Sequence, residues 1–281
     1  MGIGITLALV AAIGYGTADF VGGAGARRAP TMSIVLAGQL SGAAAMLLLG
    51  VLSPGTPTLT HAGWALLAGL GGAAGSIFLL RGMSRGRMAV VAPTSAVGAA
   101  VIPVVVGLAG GDRPAALVWA GLVLALPGIW LVSRQGEDLT ASVQPGRGAF
   151  TDGLLGGLGF GVLFVALAQI PESAGALPLA LNQLTGAVVT VVVALVVRQE
   201  WRPSRPAAGW GVPSGMLGVC GSLAFVEASH LSDLGVVAVL ASLYPAVTVL
   251  LARAVLSERL GAGQQVGLVL CSTAVGLIAA G

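Results

Sequence analysis

The sequence predicts an all-α integral membrane protein of ten transmembrane helices, arranged as two inverted five-helix repeats. Three observations carry this expectation: an apolar composition, the placement of the arginines, and an internal repeat with an odd number of helices. Of 281 residues, 56% are hydrophobic and 8% charged, and the mean hydropathy is +0.99. Soluble domains carry about 25% charged residues. This chain has too few to cover a water-facing surface, so lipid must be its main solvent. Glycine supplies 45 residues without a G-X-Y period, which excludes a collagen-like fold. It suits membrane helices, whose backbones approach closely at small residues.

The formal charge of +3 comes with basic residues that are all arginine and scattered singly or in small groups. No basic patch with interleaved aromatics appears, so no nucleic-acid partner is expected. Cys220 and Cys271 fall inside apolar runs and imply neither a disulfide nor a metal site. The first apolar run starts at Ile3 with no basic segment before it and no small-residue cleavage site after it. It reads as a retained helix rather than a signal peptide.

A hydrocarbon core of ~30 Å needs about 20 helical residues. Apolar runs place the spans at roughly 3–22, 32–52, 62–83, 89–109, 115–133, 150–170, 177–197, 208–229, 235–256 and 263–280. The arginines check this division independently. Arg27 and Arg28 fall between spans one and two, and Arg81, Arg85 and Arg87 between three and four. Arg134 and Arg147 fall between five and six, Arg198, Arg202 and Arg205 between seven and eight, and Arg253 and Arg259 near the link from nine to ten. Arg113 alone falls on the other side, and a miscounted span would scramble that alternation. Since cytoplasmic loops carry the excess of basic residues, both termini are expected outside the cytoplasm of a plasma-membrane protein.

Shifting the chain by 146 residues aligns its halves: Gly63-Trp64 falls on Gly209-Trp210, and Gly69, Gly72, Gly75 and Ser76 fall on Gly215, Gly218, Gly221 and Ser222. Asp112-Arg113 falls on Glu258-Arg259, and Gly121-Leu122-Val123-Leu124 recurs unchanged from Gly267. Nearby shifts bring Gln39-Leu40-Ser41-Gly42-Ala43 onto Gln183-Leu184-Thr185-Gly186-Ala187, and Gly14-Tyr15-Gly16 onto Gly159-Phe160-Gly161. The halves are therefore drawn as residues 1–140 and 141–281. A copy that follows five crossings enters the membrane the other way up. Arg81 and Arg87 accordingly become Glu227 and Asp233 in the second half. Inverted repeats with a site near the midplane suit alternating access in secondary transporters. A structural or regulatory membrane subunit is the alternative reading.

The stretch Ala238-Val239-Leu240-Ala241-Ser242-Leu243-Tyr244-Pro245, then Leu256-Ser257-Glu258-Arg259-Leu260 and Gly267, resembles the EamA-type half of the drug/metabolite transporter superfamily. Val91-Ala92-Pro93, Pro103, Asp112-Arg113-Pro114 and Gly121 give a weaker version in the first half. The resemblance implies a carrier whose cavity is lined by helices one to four and six to nine, with five and ten peripheral. It also implies export or exchange of amino acids, metabolites, sugar conjugates or drugs. Two departures stand out. The Glu-Arg pair is Asp-Arg in the first half, and Pro245 corresponds to Ala99. Some members of the superfamily also place both termini in the cytoplasm, against the arginine pattern here.

Polar groups in hydrocarbon are expensive, so each needs a reason. Gln39 and Gln183 lie near the centres of spans two and seven at repeat-equivalent places, and Asn182 breaks their symmetry. Tyr15 and Asp19 share a face one turn apart. Asp19 is the candidate for ion coupling, against a salt bridge to Arg27, Arg28 or Arg81. Ser76 and Ser222 are repeat-equivalent, and Tyr244 precedes a proline that frees a carbonyl and kinks span nine. The expected substrate-binding set is therefore Tyr15, Gln39, Ser76, Asn182, Gln183, Ser222 and Tyr244. Walker and H-E-x-x-H motifs are missing from the sequence. The two histidines, His61 and His230, are expected at opposite surfaces. An enzyme is not expected, nor any cofactor or metal. The expected partners are a small-molecule substrate and the bilayer; monomer or homodimer is left open.

Overall fold

The computed structural model describes residues 2–84, 88–133, 147–256 and 260–281. Arg85, Arg87, Arg134, Ser257, Glu258 and Arg259, all used above, lie outside them. The described residues form eleven α-helices: α1 (Gly2–Ala26), α2 (Thr31–Leu52), α3 (Leu59–Ser84), α4 (Met88–Gly110), α5 (Ala116–Ser133), α6 (Arg147–Ala168), α7 (Leu177–Val196), α8 (Arg205–Leu231), α9 (Leu234–Ala241), α10 (Tyr244–Leu256) and α11 (Ala262–Ala280). Helices α9 and α10 together make span nine, so ten segments are long and apolar enough to cross a membrane. Hydrocarbon offers no partner to a free N–H or C=O, and a helix satisfies nearly all of these internally. Proline and serine mark the entries. Pro30 caps α2, Pro178 opens α7, and the Ser204 side chain accepts from the Ala207 N–H at the start of α8.

Large apolar side chains such as Leu48, Val188, Val192, Leu195 and Val269 stand exposed. Many such residues would be untenable against water, but they form the lipid-facing belt of a membrane protein. The interior is filled by small residues, including Ala8, Ala11, Ala68, Ala100 and Ala228.

Helices of one repeat pack chiefly on helices of the other. One group joins α1 and α2 to α8, α9 and α10; a second joins α6 and α7 to α3 and α4. The repeat maps one group onto the other. They meet where α2 crosses α7 and where α4 crosses α9, and α5 pairs with α11 at the periphery. The closest crossings run through glycine. A Cβ on Gly14 of α1 would stand 2.9 Å from Gly221 of α8, and one on Gly159 of α6 would stand 2.7 Å from the Cα of Gly75 on α3. These two contacts are repeat equivalents, and no side chain fits at either.

Span nine is broken at its centre. Pro245 has no N–H to give the Ala241 carbonyl. The chain instead passes through a tight turn at Ser242 and Leu243, where Leu243 N–H bonds to Leu240 O at 3.1 Å. The sequence anticipates a kink here; the structure shows an interruption between two helices. Helix α4 carries Pro93 and Pro103 yet stays continuous.

The face bearing Arg27, Arg28, Arg81, Arg198, Arg202 and Arg205 is called the arginine face below. On the opposite face Thr56 N–H bonds to Ser173 O at 2.7 Å, and the His230 ring meets Ile170 O at 2.9 Å. His61, in the first turn of α3, lies on this face too, bonded to Thr58. The expectation that the two histidines occupy opposite surfaces is thus corrected: α3 starts where α8 ends.

The glycine crossings generate a test. Gly14→Ala or Gly159→Ala forces a methyl into backbone and is expected to cost about 1–3 kcal/mol. Gly23→Ala, with nothing near its Cβ position, serves as the control and keeps or raises stability. Thermal melting in detergent distinguishes them; equal melting of all three would discard the crossings as a stability determinant.

Candidate functional site

Between the two helix groups lies a cavity of about 310 Å³. Its inner end is at mid-membrane, against Ala99 of α4, Tyr244 of α10 and Phe164 of α6. From there it runs toward the arginine face, reaching Asp19 on α1, Thr31 and Met32 in the first turn of α2, and Val193 on α7. The wall is mostly apolar, with polar groups at Tyr15, Asp19, Thr31, Gln39, Ser76, Thr190 and Tyr244.

The α2–α7 crossing explains why the cavity opens on one side. The Gln39 amide nitrogen packs over Gly186, and the Gln183 amide nitrogen packs over Gly42. The two glutamines thus use each other's glycine in a reciprocal contact. Gln39 lies on the arginine side of that crossing and borders the cavity, where its Oε1 accepts from Thr190 Oγ1 at 2.9 Å. Gln183 lies on the other side and does not.

Five of the sequence-predicted residues, Tyr15, Asp19, Gln39, Ser76 and Tyr244, come together on the wall. Asn182, Gln183 and Ser222 do not. Asn182 is buried where its carbonyl packs on the Gly69 backbone. Ser222 stands behind the wall and accepts the Tyr15 O–H at 3.2 Å. Helix α8 contributes nothing to the wall, contrary to the lining expected from the family resemblance, because glycine draws it tightly onto α1 and α2. Thr31, Thr190, Phe160 and Phe164 are wall residues that the sequence reading does not single out. Only Thr190 had a signal: it is seven residues past Gln183, on the same face of α7.

Asp19 is exposed to the cavity, and no hydrogen bond or ion pair engages it among the described residues. Two of the arginines offered as its partners are turned elsewhere. The Arg28 guanidinium sits 5.3 Å over the Trp210 ring, and Arg81 pairs with the buried Asp152 at 3.6 Å, tying α3 to α6. The aromatic side is held in place by stacking: Phe164 lies 4.7 Å from Phe225 and 6.1 Å from Tyr15, centroid to centroid.

Residues 2–134 and 150–280 each match the EamA-like transporter family. The chain belongs to that family. It is therefore a multi-pass membrane transporter of the drug/metabolite transporter superfamily. A protein of known crystal structure superposes with a TM-score of 0.70 over 98% of this chain and 95% of that chain, at 14% identity. That likeness concerns the fold. No curated protein matches the sequence significantly.

Toward the opposite face α4 packs closely on α9. Gly235 lies against the Val104 backbone, and Asp112 folds back over Gly107 beside the Gly235 N–H. Asp233 sits at the start of α9, and one Asp112 carboxylate oxygen is buried without a hydrogen-bond partner. Burial, and then the Asp112 charge, raise the Asp233 pKa above its ordinary value. The folded protein thus holds this proton more tightly than the unfolded chain does. The ionised carboxylate costs stability as pH rises above the ordinary aspartate value of about 3.9. Asp233→Asn is expected to raise the melting temperature at neutral pH and to change it little near pH 3. A variant that melts lower than the parent at neutral pH would refute this.

Proposed function

We propose that this EamA-family protein is a secondary transporter that exports or exchanges a small organic metabolite, amino acid or drug across the plasma membrane by alternating access. The observation that carries the reading is the cavity itself. It lies between two repeat-related helix groups and extends toward the arginine face, while α4 packs closely on α9 toward the other. Two near-equivalent groups that can exchange contacts are what alternating access requires. A structural or regulatory subunit has no use for such a cavity. On the positive-inside rule the arginine face is cytoplasmic. The cavity then faces the cytoplasm, and both termini lie outside.

Tyr15, Gln39, Ser76 and Tyr244 are the substrate contacts on this reading, and Asp19 is the group through which a proton gradient acts. A carboxylate facing a water-accessible cavity can take and release a proton as access switches. Gln183 and Asn182 act through the α2–α7 and α3–α7 packing rather than by touching substrate.

Purified protein in liposomes is expected to take up at least one member of a labelled panel of amino acids, amines and drugs, with saturation. An inward-to-outward pH gradient should drive accumulation, and Asp19→Asn should abolish the gradient-driven part. Monodisperse protein that moves nothing from a broad panel would sink the transport reading. Undiminished gradient-driven accumulation by the variant would sink the coupling role alone.

A further inference from the structure

Resting on the reading of this cavity as the substrate site, we propose that the transported molecule is a primary ammonium on a small apolar body, and that the wall discriminates against carboxylates. The inference comes from counting protons on the wall. A hydroxyl has one proton to give and two lone pairs to offer. Tyr15 gives its proton to Ser222 at 3.2 Å, Ser76 to the Gly72 carbonyl at 2.9 Å, and Thr190 to Gln39 Oε1 at 2.9 Å. Of the five wall hydroxyls, these three donate to the protein and keep only acceptor capacity for the cavity, while Thr31 and Tyr244 each retain an O–H to give. An ionised Asp19 also only accepts, and it is the one charged side chain among the described residues on the wall.

The polar part of the described wall thus holds more acceptors than donors, with a single negative charge. An ammonium group answers all three conditions: three N–H donors, one positive charge and no acceptor to leave unpaired. A substrate carboxylate or phosphate brings only acceptors. It would meet Asp19 with no basic side chain among the described wall residues, while Arg28 is stacked on Trp210 and Arg81 is paired with Asp152. The Gln39 amide nitrogen, the obvious donor for an anion, is packed over Gly186. Desolvating an anion that meets few donors and a like charge is costly.

Size and shape limit the rest of the molecule. About 310 Å³ is at the small end of ligand cavities, which run from about 300 to 1,000 Å³. Phe160 and Phe164 face the space, and the stacking of Phe164 on Phe225 keeps that surface rigid. An apolar body of about one aromatic ring with a short aminoalkyl arm fits. A sugar conjugate or a nucleotide does not.

Five probes of similar size test this by ligand-induced thermal stabilisation and by competition in proteoliposomes at fixed pH. They are 2-phenylethylamine, trimethylphenylammonium (charge without N–H), neutral 2-phenylethanol, anionic hydrocinnamate and zwitterionic phenylalanine. The expected order places 2-phenylethylamine first and trimethylphenylammonium second, with 2-phenylethanol weak and the two carboxylates without effect. Asp19→Asn should weaken 2-phenylethylamine at least tenfold, and Asp19→Glu should restore part of the loss. Phenylalanine or hydrocinnamate acting as strongly as the amine overturns the inference, as does no stabilisation by the amine or an Asp19→Asn variant of parental affinity. Each of these leaves the transport reading standing, because that reading fails only if no compound of any class is moved. Should Asp19→Asn not fold, the order of the five probes on the parent protein decides alone.

Discussion

Backbone contact between the two repeats is the constraint on which the rest of this protein depends. Lipid supplies no hydrophobic force to press helices together, so association rests on van der Waals packing, which grows as backbones draw near. Gly14 on Gly221 and Gly159 on Gly75 bring α1 to α8 and α6 to α3 at distances that leave no room for a side chain. Because each of these pairs joins the two halves, neither repeat forms a packed unit of its own. The two groups that result are each a mixture of both halves, and the cavity is the space left where the groups diverge.

Polar residues divide the labour in a way that follows from this packing. At the crossing of α2 and α7 the glutamines act as spacers that fill each other's glycine notch. Toward the arginine face the same helices separate, and the polar groups there face open volume. Where α4 meets α9 the backbones touch again, and two carboxyl groups, Asp112 and Asp233, are brought near each other toward the opposite face. Near-contact and separation on one pair of symmetric surfaces thus arise from similar sequence.

Much of the fold was legible because lipid imposes it. Span number follows from run length, and the arginines, kept to one face by their charge, check the count. The site was less legible. In water, polarity along a helix tells inside from outside, but here both the lipid face and the packed face are apolar, so periodicity does not say which residues see a cavity. Tyr15, Gln39 and Asp19 stood out as polar groups that hydrocarbon would reject, and they do line the space. Gln183 and Ser222 stood out for the same reason, but their needs are met by packing and by a hydrogen bond behind the wall. Phe160 and Phe164 gave no sign, since an aromatic ring on a lipid face and one on a cavity wall look alike in sequence.

The break in span nine has a consequence for the balance between conformations. On the alternating-access reading proposed above, a carrier built from two identical repeats would be indifferent to direction, its two states related by a two-fold axis in the membrane plane and equal in energy. Helix α4 is unbroken, while its counterpart ends at Ala241 and begins again at Tyr244. The second half therefore has two short dipoles meeting at the bilayer centre where the first half has one long one. On that reading this difference, with the others between the halves, lifts the degeneracy. On that reading the frame acquires a resting orientation of its own, before any solute or gradient acts on it.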